Sequence, residues 1–247
     1  VLDEPSIGLH PSNIVGLTGV MKDLIADGNS VVLVDHDTQI LTEADWIIEM
    51  GPGAGAAGGR VIAQGSPEEL SQNPGSMIGP FLEPFLEREN REKERRASDV
   101  PGLRNQPEPE KGSPQKSALF EAGTIRLSTG PIHTVKPLQA EIPKGKLTVV
   151  TGVSGSGKTT LILESLIPGL EASIQGTRLP EHVRSVESAG IRQVKLIDAA
   201  PIGINVRSTV ATYANVHDEL RKIFARTPDA KRLGYKAGDF SYNTGKI

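Results

Sequence analysis

Apolar positions in the first part of the chain follow two rhythms. Ile14, Leu17, Met21, Leu24 and Ile25 recur at helical spacing behind the helix-start signal Pro11-Ser12-Asn13, and Gly28 stops the run. SVVLV (30–34) is a short β-branched run, the pattern of a parallel strand covered on both faces. VLDE (1–4) reads as the end of a buried strand and DWIIEM (45–50) as another. The glycine-rich GPGAGAAGG then bends the chain into RVIAQG, a further short strand. Ser66-Pro67-Glu68-Glu69 forms a capping box with Pro at the first helical position.

Beyond residue 117 the alternation resumes. Leu119–Leu127 and Pro137–Ile142 read as strands, and LTVVTG (147–152) as a strand running into a glycine-rich turn. Thr159–Ile167 reads as a helix ended by Pro168-Gly169, and VKLID (194–198) as a strand. Tyr213, Val216, Leu220 and Ile223/Phe224 mark an amphipathic helix. The last stretch, GYKAGDFSYNTGKI, shows no clear element. Between the two alternating parts, 87–116 is polar, of mixed charge and Pro-rich towards its end. It buries too little apolar surface to offset its ordering entropy, so only its first part is expected to extend a helix. The expected fold class is α/β: a parallel-rich sheet with flanking helices, in two partial domains (1–86 and 118–247) joined by a flexible linker (87–117).

Composition narrows the chemistry. At 247 residues there is room for one or two cored domains. Aromatics make up only 4%, which argues against base-stacking platforms for single strands, and a net charge of −3 supplies no basic arm. Cys is absent, so the stretch holds neither a disulfide nor a thiolate zinc site. No apolar run is long enough to span a membrane, and no signal peptide is visible, so a cytoplasmic protein is expected.

Residues 152–159, GVSGSGKT, fit G-x-x-x-x-G-K-[ST], placed after a strand and before a helix. Gly152, Ser154, Gly155, Ser156, Gly157, Lys158, Thr159 and Thr160 are the candidate nucleotide-binding residues. Main-chain N–H groups and the helix N-terminus would face the phosphates, Lys158 would reach the β- and γ-phosphates, and the Thr159 hydroxyl would ligate Mg²⁺. Asp3-Glu4 follows apolar Val1-Leu2 at a strand end. An Asp there can hold Mg²⁺, and a Glu directly after it can position or deprotonate the attacking water. His36 follows VVLVD at the end of the next strand, where open α/β sheets bind ligands, and could hydrogen-bond a γ-phosphate oxygen. The metal candidates are Asp3 and Thr159; the catalytic candidates are Glu4 and His36. His10, His133, His182 and His217 are isolated and read as ordinary histidines, and Phe120 reads as a core residue.

DEPSIGLHP, GPGAGAAGG-RVIAQGSPEE, TGVSGSGKTTLI, PIG…VRS…ATY and FARTPDAKRLGYKAGDFSYN together resemble the UvrA family of ABC-type ATPases. The resemblance covers nearly the whole chain except the linker. It implies a P-loop NTPase fold of the ABC type, ATP and Mg²⁺ as cofactors, and ATP hydrolysis during damage recognition in nucleotide excision repair, an SOS-response function. It also implies damaged duplex DNA and a UvrB-like protein as partners, a homodimer, no membrane, and zinc in a parent protein but not in this segment. UvrA-like proteins carry two ABC ATPase domains, and this chain resembles the join: Walker B, D-loop and H-loop of the first, then Walker A and Q-loop of the second. Asp3, Glu4 and His36 would then serve one nucleotide site, and Lys158 and Thr159 another. The alternative is that both halves close into one ATPase fold.

Two departures from the family pattern bear on activity. No LSGGQ-like segment occurs, so the chain alone is expected to hydrolyse ATP poorly. Where UvrA proteins typically read DQSPIGRTPRSNPATY, this chain reads DAAPIGINVRSTVATY, so Ala199 replaces the Gln that senses Mg²⁺ and γ-phosphate. A UvrA-like paralogue in drug resistance or transport, or a non-catalytic nucleotide-binding module, are the other functions this sequence admits.

Overall fold

The computed structural model describes residues 1–98, 116–198 and 216–241. Ala199, Tyr213 and the VRS motif at 206–208, all quoted from the sequence, lie outside the described residues. The chain divides into two compact units, 1–198 and 199–247.

The first unit is built on a five-stranded sheet. Its strands are β1 (Leu2–Asp3), β2 (Val31–Val34), β3 (Trp46–Gly51), β4 (Arg60–Gly65) and β7 (Leu147–Gly152). They lie in the order β1-β2-β7-β3-β4, parallel except for the antiparallel edge strand β4. The strand that leads into the phosphate loop therefore sits between two strands of the chain's first part. Val31–Val34 register with Leu147–Val150 on one side, and Trp46–Met50 with Thr148–Gly152 on the other. A second, antiparallel sheet contains β5 (Thr124–Thr129), β6 (Leu138–Pro143) and β8 (Val183–Glu187), in the order β6-β5-β8.

The period-2 alternation of strands explains both cores. Val31, Leu33, Ile47, Leu147 and Val149 point to one face. There they pack with Ile14 and Met21 of α1 (Pro11–Ala26), Ile40 and Leu41 of α2 (Thr38–Thr42), Leu70 of α3 (Pro67–Ser71) and Leu82 of α4 (Gly79–Ser98). Val32, Val34, Trp46, Ile48, Met50 and Val150 point to the other, against Leu161, Ile162 and Leu166 behind the phosphate loop and Ile125, Leu127 and Ile142 of the second sheet. Trp46 meets Phe120 edge-on at 5.1 Å, and Phe120, partly buried, packs against the core.

Local signals set most boundaries. Pro11 opens α1 behind His10, whose Nδ1 accepts from the Ser12 N–H. Ser66 and Glu69 form the reciprocal capping box. The Glu49 carboxylate is buried in β3 and accepts from the Ser76 hydroxyl (2.6 Å) and the N–H groups of Met77 and Ile78, which fixes the entry into α4.

Several local expectations need correction. The helix after the phosphate loop does not end at Pro168-Gly169. Thr160–Leu166 winds with wide i→i+5 turns and continues as α6 (Ile167–Gln175). Pro168 has no N–H and would crowd a carbonyl in a tight α-turn; wider turns remove that conflict. The Ser165 hydroxyl donates to the Thr160 carbonyl inside this wide turn. Residues 194–198 make one parallel bridge, Ile197 to Leu2, rather than a full strand. Lys116–Leu119 is a helical turn (α5), and the strand starts only at Thr124. In the second unit, the expected amphipathic helix is Val216–Ala225. The last stretch, expected to be irregular, forms a turn at Ala237–Phe240, where Phe240 stacks on Phe224 at 5.8 Å.

Because β7 is held on both sides, the first unit should lose its structure as one. Trp46, the single tryptophan, reports on β3. Its fluorescence and amide exchange of 147–151 should change at the same denaturant concentration. Ile47→Ala should lower that midpoint by about 2–5 kcal/mol of stability for both probes. Separate transitions would contradict the shared sheet.

Candidate functional site

Four chain segments leave the sheet at the carboxyl ends of its parallel strands: Asp3-Glu4 after β1, Asp35-His36 after β2, the glycine-rich run after β3, and the phosphate loop after β7. This is the edge where open α/β sheets take ligands. The parallel register brings together what the sequence separates by about 150 positions.

The phosphate loop begins at Gly152, with φ +132° and a backbone so close to β3 that a Cβ would lie 2.0 Å from the Met50 carbonyl oxygen. Glycine is required there on both counts. Ser154, Gly155 and Thr159 are exposed, and Gly157 and Lys158 are half-buried. Ser156 is fully buried: its N–H donates to the Val153 carbonyl, and its hydroxyl has no hydrogen-bond partner among the described residues. Its side chain faces into the fold, and no part of the residue is exposed. The Thr160 hydroxyl donates to Glu164, whose carboxylate also pairs with His133 at 2.8 Å.

The Lys158 ammonium donates to the carbonyls of Gly152 (2.8 Å) and Val153 (3.1 Å). Burial lowers its pKa, and the nearby Glu4 and Asp3 carboxylates oppose that shift. Asp3 shows the converse. Burial raises its pKa, the charges of Glu4 and Asp198 raise it further, and Lys158 pulls it down. Asp3 and Lys158 thus each act on the other's charge, and Glu4 acts on both. Asp198 reaches the cluster because Ile197 pairs with β1, its carbonyl accepting from the Asp3 N–H at 3.0 Å. Glu4 sits at φ +46°, an uncommon conformation for a residue with a side chain, with its N–H on the Val34 carbonyl.

His36 is exposed, and its main-chain N–H is bound by Asp35. Asp35 is a residue the sequence reading passed over. It is 1% exposed, and its carboxylate accepts from the Ser6 hydroxyl (2.8 Å), the Ser6 N–H (3.2 Å), the His36 N–H (2.7 Å) and the Asp37 N–H (3.0 Å). It ties the turn after Glu4 to the turn that carries His36. The available signal was a carboxylate ending an apolar strand, the same signal that marked Asp3.

The charges of Glu4 and Asp198 burden Asp3, and those of Glu4 and Asp3 act on Lys158. Among the described residues no three His, Asp or Glu side chains gather as a ready-made metal site; Asp3 and the exposed Thr159 hydroxyl are the side chains that could contribute to a cation held together with a phosphate.

No family model matches the chain. It is 41% identical to UvrABC system protein A of Aquifex aeolicus over 98% of its own length and 24% of that protein. Against UvrABC system protein A of Deinococcus radiodurans it is 40% identical, over 98% and 22%. The chain belongs to the UvrA family. It spans about a quarter of the length of these UvrA relatives. The crystal structure of UvrA2 from Deinococcus radiodurans matches 98% of the chain and 26% of its own at 35% identity, with a TM-score of 0.44. The parallel-rich sheet with flanking helices agrees with the α/β fold class that the UvrA resemblance implies. Among the described residues no helix is long and apolar enough to cross a membrane.

Two outcomes follow from this geometry. Removing Asp35 orphans four donors, so Asp35→Ala should cost about 2–4 kcal/mol in chemical denaturation. Because the folded state raises the Asp3 pKa, the native chain holds that proton more tightly than the unfolded chain. Stability should therefore fall as pH rises through the window between the ordinary and the raised Asp3 value. Asp3→Asn should flatten that slope, measured as the denaturation midpoint against pH.

Proposed function

We propose that this chain is the nucleotide-handling part of a UvrA-type ABC ATPase that binds and hydrolyses ATP during damage recognition in nucleotide excision repair. What supports the reading is that Asp3 and Glu4, at the end of β1, and Lys158, behind β7, lie at the same sheet edge, Asp3 and Lys158 acting on each other's charge and Glu4 on both, within a UvrA-family sequence.

In this reading Gly152, Ser154, Gly155, Ser156, Gly157, Lys158, Thr159 and Thr160 bind the nucleotide. The loop's N–H groups and Lys158 balance the charge of the β- and γ-phosphates. Water attacks the γ-phosphorus, the bond to the β-bridging oxygen breaks, and ADP and phosphate leave. Glu4 orients that water and accepts its proton, while His36 donates to a γ-phosphate oxygen. Mg²⁺, held by Asp3 and Thr159, supplies Lewis-acid charge neutralisation when bound. For the rest of a longer protein we propose damaged duplex DNA and a UvrB-like protein as partners, homodimer formation, zinc outside this segment, and a cytoplasmic setting. By its resemblance, 1–86 corresponds to the closing part of one ABC domain, 87–117 to a linker and 118–247 to the opening part of a second; within this chain β7 joins the sheet of 1–86, and the single site proposed here rests on that pairing. Ala199, in the Q-loop position, favours a second reading, a UvrA-like paralogue serving drug resistance or transport.

Titration of this chain with Mg²⁺ and ATP in a calorimeter tests the site. Binding should be saturable, Lys158→Ala should weaken it about 100-fold, and turnover should stay slow because no LSGGQ-like wall is present. Brisk hydrolysis abolished by Lys158→Ala would overturn the expectation of low activity. A longer protein carrying this segment should prefer damaged over undamaged duplex in an ATP-dependent way at stated salt. No preference, with turnover intact, would favour the paralogue.

A further inference from the structure

The glycine-rich run 52–59 has no part in the phosphate chemistry, yet it is the segment that touches the phosphate loop along its outer side. Register sends the two off the sheet together, because Met50 of β3 pairs with Gly152 of β7. The Gly55 N–H donates to the Gly155 carbonyl and the Gly59 N–H to the Ser156 carbonyl, both at 3.1 Å. A trans peptide points its C=O and the following N–H in opposite directions. Fixing those two carbonyls outward therefore turns the N–H groups of Ser156 and Gly157 away from the run and towards the loop's interior. The Ser156 N–H accordingly meets the Val153 carbonyl across the loop. Inward N–H groups are what a loop of this kind offers an anion.

The run is itself braced. The Gly58 N–H closes on the Gly55 carbonyl at 3.0 Å. Lys136, from the turn before β6, donates its main-chain N–H to the Gly59 carbonyl (2.8 Å) and its ammonium to the Ala56 carbonyl (3.0 Å). Gly59 has φ +72°, and a Cβ there would stand 2.2 Å from the Thr134 carbonyl oxygen. No other residue type fits without moving the run.

We propose that residues 52–59, braced by Lys136, form a positioning collar that fixes the peptide groups at Gly155–Gly157 of the phosphate loop and so presets the Gly157 N–H for the polyphosphate of a nucleotide. The proposal rests on the nucleotide-site reading above, and its test separates the two. Amide exchange of 153–158 and of strand 147–151 is measured in the nucleotide-free chain, and Mg²⁺–ATP affinity by calorimetry, for the unaltered chain, Gly59→Ala, Lys136→Met and Lys136→Arg. Exchange of 153–158 should rise and ATP affinity fall about tenfold in Gly59→Ala and about threefold in Lys136→Met, with 147–151 unchanged and Lys136→Arg restoring both. Where Gly59→Ala fails to fold, the Lys136 pair decides. Unaltered loop exchange and affinity in folded variants would overturn the collar. If the unaltered chain binds no ATP, the nucleotide reading falls, and exchange alone decides the collar.

Discussion

Everything at the site depends on one piece of main-chain pairing: β7 lies hydrogen-bonded between β2 and β3. Parallel pairing fixes direction as well as neighbour, so all three strands end at the same edge. Register fixes depth, so Val34 ends level with Val150, and Met50 level with Gly152. The period-2 alternation then commits each strand to both cores at once, and a one-residue slip would turn Val149 and Ile47 out of one core and Val150 and Ile48 out of the other. The site is precise because slipping is costly.

From that edge the chemistry is electrostatic. Lys158 and Asp3 act on one another's charge, Glu4 acts on both, and burial perturbs both Lys158 and Asp3. Around them, the arrangement is held mostly by main-chain donors: those gathered by Asp35 under the turns after Glu4 and before His36, and those of the glycine-rich run beside the phosphate loop. Side chains supply charge at this site, and peptide groups supply its geometry.

Much of this was legible in the sequence because it depends on short-range patterns. The strand at 147–152, the capping box at Ser66 and the helix behind Pro11 each follow from a few neighbouring residues. The helix runs through Pro168, where the local sequence predicts a stop, because wide turns upstream accommodate the proline. Asp35 and Asp198 escaped notice because their roles come from partners far along the chain: Ser6 for the first, β1 for the second. Glu49 was likewise hidden inside an apolar strand, since nothing local shows that Ser76, Met77 and Ile78 fold back to it. The sequence also left open whether the two halves close on one another, since pairing between distant strands leaves no local trace; in the structure they share one sheet.

The most direct test of the account is a set of nuclear Overhauser contacts from the amide and methyl protons of Val150 in the 247-residue chain. The shared sheet predicts contacts to Val34 on one side and to Ile48 on the other. A Val150 that sees neither, with 1–86 and 118–198 behaving as independent bodies, would contradict a single site made from Asp3, Glu4 and Lys158.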